Sequence, residues 1–180
     1  MLPQLGALHE VFVSSFAAID LLYAHELIQP CLTQLYSTVD AAAWLSVEGE
    51  KDVTRADFMR WAERYLLPQG AFQFTSIELY AARCSALHSM SALSSLSRAG
   101  KARTLTYAWG NETTEALEVY LDALGRNRVV AVHLNDLRTA LPKAVQSFLN
   151  EASGQPELWT RVEQRSRYYF TSISRIGSYG

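Results

Sequence analysis

Apolar residues recur at spacings of three and four from the start of the chain. Leu5, Leu8, Phe12, Phe16, Ile19, Tyr23 and Leu27 fall on one helical face. Pro30 ends or kinks that helix. Leu32, Leu35, Tyr36, Val39 and Ala43 continue the stripe towards Trp44 and Leu45, as a second helix or the far side of a kinked one. Glu48-Gly-Glu-Lys-Asp52 is a polar connection. Thr54 suits an N-cap and Asp57 the first turn behind it, where a negative charge meets the helix dipole. Phe58, Trp61, Ala62 and Tyr65 give this third helix its apolar face, and Pro68-Gln-Gly70 stops it. Thr75 and Glu78 fit a capping box, so a fourth helix starts near Ser76. Ile77, Ala81, Cys84 and His88 lie along one seam of it. The helix fades among Ser94, Ser95 and Ser97, and Gly100 breaks it.

The period then changes. Thr104-Leu-Thr-Tyr-Ala-Trp109 alternates polar or small with large apolar residues, and Arg128-Val-Val-Ala-Val-His-Leu134 is rich in β-branched residues. Between these two strands Glu112 to Leu124 reads as a helix, with Gly125 as its C-terminal cap. Asn135 is placed to cap a helix through Leu137, Leu141, Val145, Phe148 and Leu149, in which Pro142 marks a kink or restart. Pro156 suits the first turn of a last helix with Leu158, Trp159 and Val162 inward. The fold class is therefore mainly α: a helical bundle over about 4–97, a short β-ribbon (β-α-β) insertion over about 104–134, C-terminal helices over about 135–170, and an unpatterned tail at 171–180.

Composition narrows the classes. The chain has 180 residues, 49% of them hydrophobic, which suits one domain with a sizeable core. A net charge of −2 excludes a surface that is wholly a polyanion-binding face but leaves room for a local basic patch. Cys31 and Cys84 lie in apolar helical contexts and do not read as a secreted disulfide framework. No Cys/His pattern for zinc is present, and His9, His25 and His133 are too scattered to suggest a metal site, so neither metal nor cofactor is expected. His9, Glu10 and Asp20 interrupt the N-terminal apolar positions, so no signal peptide is expected. No long apolar run suggests a membrane span. The expected compartment is the cytoplasm.

The chemistry concentrates on the fourth helix. Arg83 is a permanent cation whose fork of donors suits a phosphate. His88 can take or give a proton near neutral pH. Cleavage of an RNA phosphodiester needs both services, and it needs no metal when the 2′-hydroxyl is the nucleophile. Residues five apart lie roughly 140° apart around a helix, so a site shared across a twofold axis suits the pair. Arg98, Lys101 and Arg103 surround Gly100 just beyond and could hold RNA phosphates. Each of these residues also has an ordinary role open to it: His88 in the core, Arg83 in an ion pair, the three cations in a solvated loop. Cys84 is one turn from His88, but a Cys on an apolar seam is usually packing. Tyr107 and Trp109 could stack bases, although alternate strand residues are more often core. Glu78 reads as a cap.

Arg83-Cys-Ser-Ala-Leu-His88, an Arg-x4-His motif on a late bundle helix, resembles the signature of the HEPN superfamily. Phe58-Met-Arg-Trp-Ala-Glu-Arg-Tyr-Leu66 and the Leu79-Tyr80 lead-in are similar to helices of that family, and the likeness covers about residues 5–100. The resemblance implies an up-and-down helical bundle that forms a homodimer, with both motifs in a shared cleft. It also implies metal-independent endoribonuclease activity in toxin–antitoxin or antiviral defence, with an antitoxin or other regulatory protein as partner. Arg83 would then contact phosphate and His88 would be the acid/base. Two positions depart from the pattern: Cys84 stands where the family often has Asn or Asp, and Met90 where one toxin branch has a modified Tyr. A non-catalytic helical module that binds a protein or nucleotide is the alternative.

Overall fold

A computed structural model describes residues 3–49, 51–89 and 93–169. The tail at 171–180 and Met90 lie outside them. The chain is mainly helical with a small two-stranded sheet inserted late. Helix α1 runs Pro3–Ala24 and α2 Ile28–Ser46. The break falls at Glu26, a non-glycine residue with φ 56°, in the left-handed region. Pro30 therefore does not end the first helix. It sits in the first turn of α2, where its missing N–H costs nothing because that donor has no intrahelical partner anyway.

Helix α2 is the hub, packing against α1 and against the helices at Arg55–Trp61, Ser76–Ser89, Leu134–Ser153 and Pro156–Ser166. Its buried residues include Cys31, Leu35, Tyr36, Val39 and Ala43, so it is covered on more than one face. Helix α3 (Arg55–Trp61) starts at a full capping box: Thr54 accepts from the Asp57 N–H, and Asp57 accepts from the Thr54 N–H. It passes into a π-helical turn at Ala62–Leu66 and a 3₁₀ turn at Leu67–Gln69. The turns bury Ala62, Tyr65 and Leu66. Tyr65 and Trp61 meet Phe148 with ring centroids 5.3 and 6.3 Å apart.

Helix α4 spans Ser76–Ser89. The serines beyond it do not simply fade: Ser94 caps a separate short helix α5, Ser95–Arg98, by accepting from the Ser97 N–H. Strand β1 (Thr104–Ala108) and strand β2 (Val129–His133) pair in parallel, Thr104 opposite Val129 and Ala108 opposite His133. Parallel pairing follows from the crossover helix α6, Thr114–Ala123, because a tight turn cannot return the chain in the same direction. Gly125, with φ 69°, closes that helix as expected. Leu105, Val130 and Val132 join the same core as the helices, while Thr104 and Thr106 occupy the alternate face.

Helix α7 is Leu134–Ser153 and follows β2 without a linker. Its cap is His133, whose Nδ1 accepts from the Asn135 N–H at 3.3 Å, and not Asn135, whose side chain instead accepts from Arg138. Pro142 lies inside α7 without ending it. Helix α8, Pro156–Ser166, begins at its proline.

Tyr36 of α2 and Tyr107 of β1 share a hydroxyl–hydroxyl hydrogen bond that ties sheet to bundle. Burial pushes both phenols above their ordinary values. Tyr107→Phe should cost about 1–3 kcal/mol, because the fully buried Tyr36 hydroxyl loses its partner. Tyr36→Phe/Tyr107→Phe should cost less than the two single changes summed, since neither polar group remains. Denaturant melts of the four proteins check this; strict additivity would exclude the coupling.

Candidate active site

Helix α4 is fixed at its start by a carboxylate. Glu78 accepts from the Thr75 N–H at 2.8 Å and from the Thr75 hydroxyl at 3.0 Å. Arg103 approaches the same carboxylate from the strand side, its Nε 2.5 Å from Oε1 and its Nη2 3.1 Å from Oε2. The Arg103 Nη2 also donates to the Gln73 carbonyl at 3.0 Å. Burial would raise the Glu78 carboxyl, but Arg103 and Thr75 outweigh it and hold the group below its ordinary 4.5. The folded state therefore binds fewer protons here than the unfolded chain. This stabilisation is complete above 4.5 and is lost as pH falls. Arg103→Ala should flatten the acid-side decline in melting temperature, measured from about pH 6 to about pH 3. An unchanged decline would remove Arg103 from that role.

Further along α4, Arg83 is held by α2. Its Nε and Nη2 donate to Oδ2 of Asp40 at 2.8 and 2.6 Å. Each side chain of the pair is 21% exposed. Burial opposes the Arg83 charge, and Asp40 more than restores it, so the guanidinium lies above its ordinary value. Burial lifts the Asp40 carboxyl above the usual carboxylate value against the pull of Arg83. The other oxygen of Asp40, Oδ1, is buried without a hydrogen-bond partner among the described residues.

The third nitrogen of Arg83 points at His88: Nη1 lies 3.3 Å from Nε2. The helical-wheel angle between positions five apart thus does not keep the two groups separate. Arginine is long enough for its fork to lie back along the helix. Arg83 is a donor only, so Nε2 is the acceptor in this contact. His88 is exposed. The seam expected through it does not hold to its end: Ala81 is buried, Ile77 and Cys84 are half-buried, and the imidazole faces solvent.

Tyr80 forms one wall. Its ring has Arg83 Cζ at 5.9 Å and Arg55 Cζ at 5.8 Å from its centre, and Phe58 packs edge-on at 5.5 Å. Burial and then the neighbouring Cys84 thiol raise the Tyr80 phenol. Cys84 therefore packs with Tyr80, and it is a free thiol.

The structure brings Arg83 and His88 together and leaves the three further cations elsewhere. Arg103 is paired with Glu78 at the opposite end of α4, and Glu78 is ten residues before His88, which is about 15 Å along the axis. Arg98 and Lys101 are exposed beside Gly100; Arg98 donates to the Leu93 carbonyl at 3.1 Å. Trp109 is exposed beyond β1, whereas the Tyr107 hydroxyl is engaged with Tyr36.

Sequence reading missed Asp40. The available signal was a carboxylate between Val39 and Ala41–Ala43, because a charge on an apolar helix face calls for a buried cation. Among the described residues no group of three His, Cys, Asp or Glu side chains is arranged to hold a metal ion, and no helix is long and apolar enough to cross a membrane. No family model, no curated protein and no solved structure matches the chain.

Proposed function

We propose that this chain is a HEPN-like endoribonuclease that cleaves RNA without a metal. The observation that carries the reading is the contact between Arg83 and His88, with Asp40 bracing the guanidinium from a second helix. A fixed cation and an exposed imidazole side by side are the two groups that transesterification by a 2′-hydroxyl needs. The imidazole removes the 2′-hydroxyl proton while the 2′-oxygen bonds to phosphorus. The bond from phosphorus to the 5′-oxygen breaks, and that oxygen takes a proton from a second acid. Arg83 stabilises the charge on the crowded phosphate. The products are a 2′,3′-cyclic phosphate and a 5′-hydroxyl.

A homodimer would supply the second imidazole as that acid, in keeping with the family resemblance. A role in toxin–antitoxin or antiviral defence in the cytoplasm, with a regulatory protein as partner, belongs to the same proposal. The alternative, a non-catalytic binding module, draws on Asp40 occupying two of the Arg83 nitrogens and on Cys84 within the motif.

The test is incubation of labelled RNA with the purified wild type and with His88→Ala in EDTA, alongside the molecular mass in solution. EDTA-resistant cleavage by a dimer, with cyclic-phosphate ends and loss in the variant, is the expected result. Cleavage unaltered by the variant would overturn it.

A further inference from the structure

Half of the arginines among the described residues meet a carboxylate. Arg60, Arg64, Arg83, Arg103, Arg138 and Arg161 each lie within ion-pair distance of an Asp or Glu. Arg98, Arg126 and Arg128 do not, among the described residues, and these three line one open cleft of about 860 Å³ with Thr104 and Thr106. No acidic side chain lines it among the described residues. We propose that this cleft is the binding surface for the phosphodiester backbone of single-stranded RNA.

Its construction supports an anion. Arg98 and Arg128 are oriented by main-chain carbonyls: Arg98 Nη1 donates to Leu93 at 3.1 Å, and Arg128 Nη2 donates to Gly100 at 2.6 Å. A carbonyl positions a guanidinium without neutralising it, and each fork keeps further N–H donors for a ligand. Arg126 follows Gly125, whose left-handed backbone turns the chain off α6. Thr104 and Thr106 add hydroxyls from the outer face of β1. Charge gathered in this way on a chain of net charge −2 is a local device rather than a general surface property.

The cleft also lies near the proposed catalytic pair. Leu93, on its rim, is four residues beyond Ser89 at the end of α4, so the chain allows at most about 14 Å between them. A strand held in the cleft can extend to His88. Backbone readout of this kind discriminates little between sequences. The two elements that contribute the arginines, α5 and the α6–β2 loop, precede β1 and β2 respectively in the chain.

RNA as the polyanion rests on the function proposed above, but the test does not depend on cleavage. A fluorescent 2′-O-methyl RNA oligomer cannot be cut at its blocked 2′-oxygens, so its binding is read alone by anisotropy across a salt series. Each phosphate contact on a single strand contributes about 0.7 to the salt slope, worth about fivefold in affinity near about 0.1 M salt. Arg126→Gln should lose about that much. Arg98→Gln/Arg126→Gln/Arg128→Gln should lose about two units of slope and about a hundredfold in affinity. Arg126 makes no side-chain hydrogen bond or ion pair among the described residues, so its variant isolates binding from folding. No binding by the wild type overturns the proposal, as does an Arg126→Gln protein with unchanged affinity and slope. Preference for an acidic polypeptide over the oligomer also overturns it. Binding that depends on Arg126 while His88→Ala leaves cleavage intact would retain the cleft and reject the catalytic pair.

Discussion

His88→Ala is expected to lower RNA cleavage by about 10²- to 10⁴-fold, the range for removing a positioned proton-transfer group. Stability should hardly change. The imidazole is exposed, and its hydrogen bond among the described residues is the contact to Arg83 Nη1 at 3.3 Å. A surface change of this type alters stability by less than about 0.5 kcal/mol. The informative result is therefore the pair of readings, single-turnover cleavage and a denaturant midpoint on the same preparation. A large loss of cleavage with an unmoved midpoint assigns His88 to the chemistry. Equal activity in variant and wild type would end its role as acid or base.

Arg83→Ala should act on both quantities. Loss of the cation beside the imidazole is expected to cost about 10²- to 10³-fold in cleavage, by analogy with removal of a single anion-stabilising donor. It should also cost about 1–3 kcal/mol of stability, because Asp40 remains in a half-dry position without its partner. The stability loss carries a sign in pH. Burial already raises the Asp40 carboxyl above 3.8, and without Arg83 less opposes that rise. The folded state then binds more protons than the unfolded chain. Its penalty is full at neutral pH and vanishes as pH falls through 3.8. This is the reverse of Glu78. Asp40→Asn added to Arg83→Ala should recover stability at neutral pH and leave cleavage absent. Recovery of cleavage would mean that the guanidinium only cancels Asp40. Failure to recover stability would mean that the strain lies elsewhere.

Elements were legible where one residue does one local job. The Thr54 cap with Asp57 in the first turn, Gly125 after α6 and Pro156 at the head of α8 were readable because caps and turns depend on neighbours within a few positions. Pro30 was misplaced because a proline is compatible with the first turn of a helix as well as with its end, and only the Glu26 backbone decides. His133 displaced Asn135 as a cap because β2 runs straight into α7, which puts the strand's last side chain at the helix start. The candidate site was half legible. Arg83 and His88 announce themselves by chemistry. The Asp40 pairing crosses 43 positions and the Arg103–Glu78 pairing 25, distances over which periodicity carries no information. A wheel drawing also treats side chains as radial spokes, and so hid the contact an arginine makes by lying along its helix.

The parallel register of β1 and β2 has a consequence for how the protein could be controlled. Thr104 and Val129 meet across a loop of 25 positions, and only two strands share the ladder. Asp40 and Arg83 belong instead to the packing of α2 on α4 within the bundle. Separating β1 from β2 would scatter Arg98 and Arg128 while leaving Arg83 beside His88. The proposed grip on a polyanion and the proposed chemistry would thus rest on different elements of the fold. A partner that prised the insertion open would remove the proposed RNA grip without touching Arg83 or His88.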